Sequence, residues 1–394
     1  MEFRFTQEQE DFRREVRAFL RSVLPSGWKG VYPDAYFHDE YWDFIRQFTA
    51  QLVEKGWLTI TWPREYGGQA LPQLLQTVYN EELAYHRAPH RDLSTGIHLV
   101  GPTVMIHGTD EQKRAVIPPI GRGEHVYCQG FSEPGSGSDL ASLQMRAVRD
   151  GDDYVVNGSK TWTSGAHRAT HCILLTRTDP EAPKHKGISM FLVPMDTPGI
   201  TVRPILNPLN VHYFNEVFFD DVRVPAQCMI GEENRGWYVA TTTLDFERSG
   251  VGRFAGNQRT LEELAQLASE ARWNGKPAAQ RSVVRHALAD VAIANHAGRM
   301  IAYRVAWMQS QGLVPNQEAS ASKLLGSEVT QRISQVGLRL LGLYGQLGRG
   351  SRYAPLEGWI MAHYVNDISH TIRAGTSEVQ RNIIATRGLG LPRG

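Results

Sequence analysis

Apolar positions recur with a helical period at the start of the chain, with a period of two in the middle, and with a helical period again to the end. Phe12, Val16, Phe19 and Leu20 make one helical stripe, and Thr6 with Gln9 in front of them reads as a capping box. "TDEQKRAVIPPI" repeats the device with Thr109 and Gln112. Between the two, "YWDFIRQFTAQLVEKGW" and "LLQTVYNEELAYHRA" keep helical spacing, and "WPREYGG" (62–68) reads as a turn-rich connector. The middle runs "YVVNGSKTWTSG", "HCILLTRT", "GISMFLVPM", "GITVRPIL" and "NEVFFDDVRVP" are short and β-rich, with Gly, Pro, Asn and Asp between them. They predict a small antiparallel barrel or sandwich. After Gly236, "LEELAQLASEA", "VRHALADVAIANHAGRMIAYRVAWM" and "SASKLLGSEVTQRISQVGLRLLG" predict long helices with short joints, a four-helix bundle. The expected class is α+β: a helical domain over 1–122, a β-barrel or sandwich domain over 123–233 and a helical bundle over 234–394. A ligand is expected where such layers meet.

Composition narrows the classes. Of 394 residues, 41% are apolar and 21% charged, ordinary values for a globular protein. The formal net charge is +1, which argues against nucleic acid or an anionic membrane as partner. No apolar run approaches the roughly 18–20 residues of a membrane span. "MEFRFTQEQEDFRREV" has no apolar core and is not a secretory signal, so a bacterial cytoplasm is expected. Cys128, Cys172 and Cys228 are far apart in sequence with no CxxC, and read as free thiols without a metal site.

Three segments carry candidate chemistry. In "GFSEPGSGSDL" (130–140), Gly135 and Gly137 bring backbone close to a neighbour, and the hydroxyls of Ser136 and Ser138 suit a phosphate; a plain β-turn loop is the alternative. In "NGSKTWTSGA" (157–166), Trp162 and Ser164 lie two apart on an expected strand and so face one side. There an indole can lie on a flat ring while a hydroxyl bonds a ring heteroatom, or Trp162 is simply a cross-strand aromatic. In "HTIRAGTSEVQRNIIA" (370–385), Thr376 or Ser377 caps a last helix, with Glu378 in its positive first turn.

The α–β–α order and these three segments resemble the acyl-CoA dehydrogenase family over nearly the whole chain. The resemblance implies FAD as cofactor, removal of two hydrogens from the α and β carbons of an acyl-CoA, an electron-transfer flavoprotein as electron acceptor, and a homotetramer. It implies Phe131 and Ser132 at the isoalloxazine edge and Gly137 with Ser138 at the pyrophosphate. Trp162 would pack on the ring and Ser164 contact N5. Arg272 would reach the pyrophosphate of a neighbouring subunit's cofactor. In "LRLLGLYG" (338–345) Arg339 stands where many members have glutamine, with Gly342 beside it, and Thr376 and Glu378 match further flavin contacts. "STGIHLVGPTVMIHG" (94–108) would line the acyl pocket, with Gly96 and Gly101 giving room.

Many relatives place a glutamate immediately before Gly-Thr-Ser, where this chain has Ala374. In a subset, including isovaleryl-CoA and long-chain enzymes, the base comes from the helix after the β domain, directly before an arginine; Glu247 stands there, in "TTTLDFERSGVGRFAG" (241–256). On one helix its neighbours would be Thr243, Leu244, Gly250 and Val251, none charged, which favours a desolvated carboxylate of raised pKa. Asp245, Arg248, Ser138 and Gly375 would meet the substrate, and the Ala374 amide would polarise the thioester carbonyl. An acyl-CoA oxidase, or a subunit of a heterotetrameric steroid-side-chain dehydrogenase, are the alternatives; a DNA-binding relative is disfavoured by the near-neutral charge.

Overall fold

The computed structural model describes residues 4–89, 95–245, 250–273 and 275–392, with backbone only for 242–245. Its helices are α1 (Gln7–Val23), α2 (Asp39–Glu54), α3 (Gln73–Tyr85), α4 (Gly101–His107), α5 (Asp110–Gly121), α6 (Gly236–Asp245), α7 (Val251–Glu270), α8 (Ser282–Ser310), α9 (Asn316–Leu341), α10 (Trp359–Asp367) and α11 (Ser377–Ile383). The strands of the main sheet are β1 (Tyr127–Gly130), β2 (Arg146–Asp150), β3 (Asp153–Lys160), β4 (His171–Arg177), β5 (Ile188–Pro194), β6 (Ile200–Leu206), β7 (His212–Pro225) and β8 (Met229–Ile230). A small hairpin, β9 (Arg272–Trp273) and β10 (Lys276–Pro277), follows α7. Both expected capping boxes form: Thr6 with Gln9 opens α1 and Thr109 with Gln112 opens α5.

The chain divides into two compact units. One holds 1–33, 71–88 and 248–394; the other holds 34–70 and 89–247. The mixed α+β class is therefore observed, with helices at both ends of the chain and a sheet between.

In the sheet unit the eight strands run in the order β6-β7-β3-β2-β4-β5-β8, with β1 also on β4. Not every pair is antiparallel, as the runs had suggested: β1 and β2 both pair with β4 in parallel. The excursion from 131 to 170 between β1 and β4 supplies the crossover that a parallel pair requires. Alternation sorts the strands into two faces. Cys172, Leu174, Phe191, Val193, Val156, Val217 and Val224 share one core. Ile173, Leu175, Ile188 and Met190 face the other way, onto Val104, Ile117, Ile120 and Val239 of the helices. The Tyr154 ring on β3 meets Phe191 on β5 at 5.1 Å. Those strands are three places apart in the order, so the sheet curls over its own core as a barrel or sandwich does.

Two details differ from the sequence reading. Trp62, in the "connector", is buried and donates through Nε1 to the Ile97 carbonyl at 2.9 Å. A Cβ at Gly101 would lie 2.3 Å from its indole, so the space beside Gly101 is filled by Trp62 rather than opened for an acyl chain. Cys128 and Cys172, distant in sequence, are register partners on β1 and β4, and both are free and buried.

In the helical unit α7, α8, α9 and α10 pack as a bundle, and α3 lies against α7 and α8. A charge cluster of this unit centres on two buried carboxylates, Glu81 and Glu82. Arg13 of α1 reaches Glu81 and Glu82 of α3 at 2.6 and 3.1 Å, Arg17 reaches Glu82 at 2.8 Å, and Arg299 of α8 reaches Glu81 at 2.6 Å. Burial alone would raise the Glu82 pKa, but hydrogen bonds from His86, Arg17 and Arg13 outweigh it and bring it to about 2. Among the described residues no helix is long and apolar enough to cross a membrane.

Candidate active site

The sheet unit carries one set of candidate residues. Its loop after β1 is pinned from beneath. Lys160 at the end of β3 is fully buried; its Nζ donates to Glu133 Oε1 at 2.8 Å and to the Phe131 carbonyl at 3.2 Å. Glu133 also accepts from the backbone of Gln144 and Met145, at 2.7 and 3.0 Å. Burial pushes the Lys160 ammonium down and Glu133 pulls it back up; the net direction is down. The Thr161 amide donates to the Ser132 carbonyl at 2.9 Å. Phe131 and Ser132 are thereby tied to the segment that carries Trp162.

The loop itself departs from the reading in one respect. The Ser136 hydroxyl is buried and donates to the Asp139 carbonyl at 2.9 Å, so it faces into the loop and not toward a ligand. Ser138 is exposed, and Gly135 and Gly137 have open space where a side chain would stand.

Trp162 and Ser164 are not on a strand, because β3 ends at Lys160. Trp162 has φ +58 and is 61% exposed. A bulky residue with positive φ is an outlier that the surroundings must hold in place. They do so from β7: the Thr163 amide donates to the Asn215 carbonyl at 3.0 Å, the Gly165 amide to the Tyr213 carbonyl at 2.9 Å, and Asn215 Nδ2 to the Thr163 carbonyl at 2.9 Å. The Trp162 and Phe214 rings meet edge to face at 5.8 Å. Thr163 carries a buried hydroxyl with no partner, and Ser164 is half-buried. His167 stacks on His212 at 3.8 Å, and His212 Nε2 donates to Asn215 Oδ1. Burial, then the neighbouring His212 and Arg168, lower His167 to about 4, so it is neutral at neutral pH.

The helical unit carries the second set. Ala374 is exposed with φ +54, and Gly375 follows with φ +81. Gly375 has two reasons to be glycine: its φ, and Gln380 Nε2 lying 2.4 Å from where a Cβ would be. Thr376 then caps α11, its Oγ1 accepting from the Val379 amide at 3.2 Å. Its own backbone amide and Thr376 lower the pKa of the exposed Glu378. The corner is held by Lys323 of α9, whose Nζ donates to the His370 carbonyl at 3.1 Å and the Gly375 carbonyl at 2.5 Å. Further along α9, Gln331 Nε2 donates to the carbonyls of Asp367 and Ile368 and to Thr371 Oγ1, and Ser334 to Asp367 Oδ2.

Arg339 is exposed in the last turn of α9, sixteen residues beyond Lys323, or about 24 Å along a helix. It does not join the corner. Gly342 ends α9 with φ 56 and ψ −134, a conformation open in practice only to glycine. Arg272 is exposed on the β9–β10 hairpin. Glu247 and Arg248 lie outside the described residues, as does the Asp245 side chain. The continuous helix expected over 241–256 is not formed: α6 runs to Asp245, and Gly250, with φ +68, is the left-handed cap of α7. Gly250 and Val251 are therefore not helical neighbours of Thr243 and Leu244 on one helix.

Lys160, Glu133, Asn215 and Lys323 were missed as site residues. Each left a trace. Lys160 shares the parity of the buried Tyr154 and Val156 on β3. Lys323 is flanked one turn either way by Ala319, Ser320, Gly326 and Ser327, small residues that mark a packed face.

The chain matches the acyl-CoA dehydrogenase N-terminal domain over residues 6–124, the middle domain over 128–222 and the C-terminal domain over 234–389. It is 35% identical over 392 residues to acyl-CoA dehydrogenase IpdE1 of Mycobacterium tuberculosis, covering 98% of this chain and 99% of that one. Among solved structures, the Tcur3481-Tcur3483 steroid ACAD superposes with a TM-score of 0.89 at 35% identity over 100% of both chains. The ChsE4-ChsE5 complex from Mycobacterium tuberculosis does so with a TM-score of 0.88 at 35% identity, again over 100% of both.

Proposed function

The chain belongs to the FAD-dependent acyl-CoA dehydrogenase family, oxidoreductases that act on CH–CH bonds, and from that premise we propose that it converts an acyl-CoA to its trans-2-enoyl-CoA with Glu247 as base. The residues present fit the cofactor. Trp162 is an exposed indole held at positive φ, the space at Gly135 and Gly137 is open, and Thr163 has a buried hydroxyl without a partner. Phe131, Ser132, Trp162 and Ser164 would flank the flavin and Gly137 and Ser138 the pyrophosphate; Thr376 and Glu378 would make further flavin contacts. Arg272 would reach the pyrophosphate of a neighbouring subunit's cofactor, and Arg339 and Gly342 would lie at its adenosine end. When bound, FAD supplies the hydride acceptor at N5.

The observation that carries the assignment is Ala374. It sits exposed at a left-handed corner, presents a methyl group where a proton acceptor would be needed, and keeps its backbone N–H. That amide donates to the thioester carbonyl and so acidifies the α-carbon. The α-proton then passes to the Glu247 carboxylate. Asp245 and Arg248 would meet the CoA side of the substrate, and Ser138 and Gly375 would also contact the substrate. Glu247→Gln should keep FAD bound yet slow anaerobic flavin bleaching by about 10²–10⁴-fold across a panel of straight-chain, branched and steroid acyl-CoA thioesters. Bleaching at the parent rate would overturn the assignment.

The further parts of the reading are three domains over 1–122, 123–233 and 234–394, a homotetramer, a bacterial cytoplasm, and electrons passed to an electron-transfer flavoprotein. Peroxide release in air would point instead to an oxidase. The neighbouring ChsE4-ChsE5 and Tcur3481-Tcur3483 structures are each named for two polypeptides, which favours a second reading, one subunit of a heteromeric steroid-type enzyme. Under that reading the chain purified alone would be colourless and would gain FAD only with its partner.

A further inference from the structure

We propose that Lys323 is the positioning residue of the 374–375 corner: its ammonium, by bridging the carbonyls of His370 and Gly375, keeps the backbone between them in the left-handed turn that aims the Ala374 amide. The inference rests on the reading of that amide as the carbonyl donor.

Left alone, the corner would relax. Ala374 and Gly375 are consecutive residues with positive φ, and at Ala374 the Cβ makes that conformation sterically strained. What opposes relaxation is a set of contacts at the two ends of the turn. On the upstream side Ile372 and Arg373 donate to the Ser369 carbonyl at 3.0 and 2.9 Å, and Gln331 holds Asp367, Ile368 and Thr371. On the downstream side Thr376 caps α11, and Gln380 Nε2 makes a long contact of 3.4 Å to the Gly375 carbonyl. Lys323 joins the two sides, with one donor hydrogen bond to each. Bonds from an ammonium to carbonyls are charge-assisted and stronger than neutral ones. Four stem carbons, rooted on the packed face of α9, give a fixed post from which to make them.

The charged groups around Lys323 come from every side. Arg253 belongs to the first turn of α7, Arg373 to the corner itself, Glu378 to α11 and Glu328 to α9. Burial, then the two arginines, lower Lys323 to about 8 against the pull of the two carboxylates. The sign separates positioning from stability. A lysine lowered in the folded state binds fewer protons folded than unfolded between pH 8 and its ordinary value near 10.4, so this group makes the fold more stable as pH rises there. The clamp, by contrast, loses its charge as pH rises through about 8. Activity and the lysine's contribution to stability should therefore diverge.

The test is Lys323→Met, made in the full chain with FAD bound, with Lys323→Arg as the charge-keeping control. Hydrogen–deuterium exchange of peptides covering 368–383 is read against a peptide within α7. In Lys323→Met the protected amides of Ile372, Arg373, Val379 and Gln380 should exchange about 10-fold faster or more while α7 is unchanged. With the acyl-CoA of the panel that the parent turns over fastest, kcat should fall about 100-fold with little change in KM. The alkaline limb of kcat near pH 8 should disappear. Lys323→Arg should restore part of the protection. Unchanged exchange in Lys323→Met overturns the proposal. Faster exchange with unchanged kcat leaves Lys323 as the post of the corner and removes the Ala374 amide from the mechanism.

Discussion

Each compact unit has a lysine beside its candidate residues, Lys160 fully buried and Lys323 half-buried, and the two are satisfied differently. Lys160 in the sheet unit has a carboxylate, Glu133, which in turn takes two backbone amides. Lys323 in the helical unit bonds two carbonyls and has carboxylates only at longer range. A buried charge with a matched, saturated counter-ion is a fixture: neither partner can change state without stranding the other. A charge held by carbonyls, with carboxylates only at longer range, can lose its proton without stranding a paired counter-ion, and Lys323 is lowered to about 8. The sheet unit thus presents a rigid platform, and the helical unit a corner whose geometry depends on one proton.

The largest expected effect follows from stranding. Lys160→Met should cost about 3–5 kcal/mol by denaturant titration, and Glu133→Gln a similar amount, whereas the double variant Lys160→Met/Glu133→Gln should recover most of the loss. If the double variant were as unstable as the sum, the pair would not be the fixture described. Lys323→Met, which strands no counter-ion, should cost about 1 kcal/mol in the same assay.

Next in size is acid. Burial, then the facing histidine in each case, lowers His167 and His171 to about 4. A histidine lowered in the fold contributes stability that is complete above its ordinary value near 6.5 and is lost as pH falls toward 4. The melting temperature should drop by roughly 5 °C over that window. His167→Phe should reduce the drop. A flat profile would mean that the two rings do not need their neutral form. Glu82, held at about 2 by its arginines and His86, stays ionised in the fold but takes up a proton in the unfolded chain below about pH 5, so it adds to the loss at the acid end of this window.

The smallest effect is at the corner. Ala374→Gly removes about 1–2 kcal/mol of left-handed strain but adds unfolded-chain entropy of about 0.4–1 kcal/mol, a net gain of about 0.5 kcal/mol. Because glycine keeps the N–H, kcat should change less than in Lys323→Met. A loss of stability would show that the alanine methyl is packed rather than strained.

Much of this was readable from residue order. Both capping boxes and the Thr376 cap follow from contacts between residues three apart, and the two-residue period of the middle strands from alternate side chains facing opposite ways, so local sequence specifies them. The family resemblance likewise marked the site segments, because they are contiguous. The misreadings share another cause. Trp162 was placed on a strand because alternation continues through "KTWTSG", but Asn215 and Tyr213 of β7 hold that stretch in a different conformation. Gly101 seemed to offer room that Trp62, from a segment read as a linker, already occupies. The helix over 241–256 was extended through Gly250, whose left-handed φ stops it.

Residue order by itself therefore settled the α–β–α succession, the family, and the absence of a carboxylate at 374, since these depend on residue identity and short-range spacing. Tertiary structure alone decided that Lys160 answers Glu133 from twenty-seven residues away, and that Lys323 reaches a carbonyl fifty-two residues on. Hydrogen bonds and ion pairs act over about 3 Å of space and are blind to distance along the chain, so a lysine's partner exists only once the fold has brought it there.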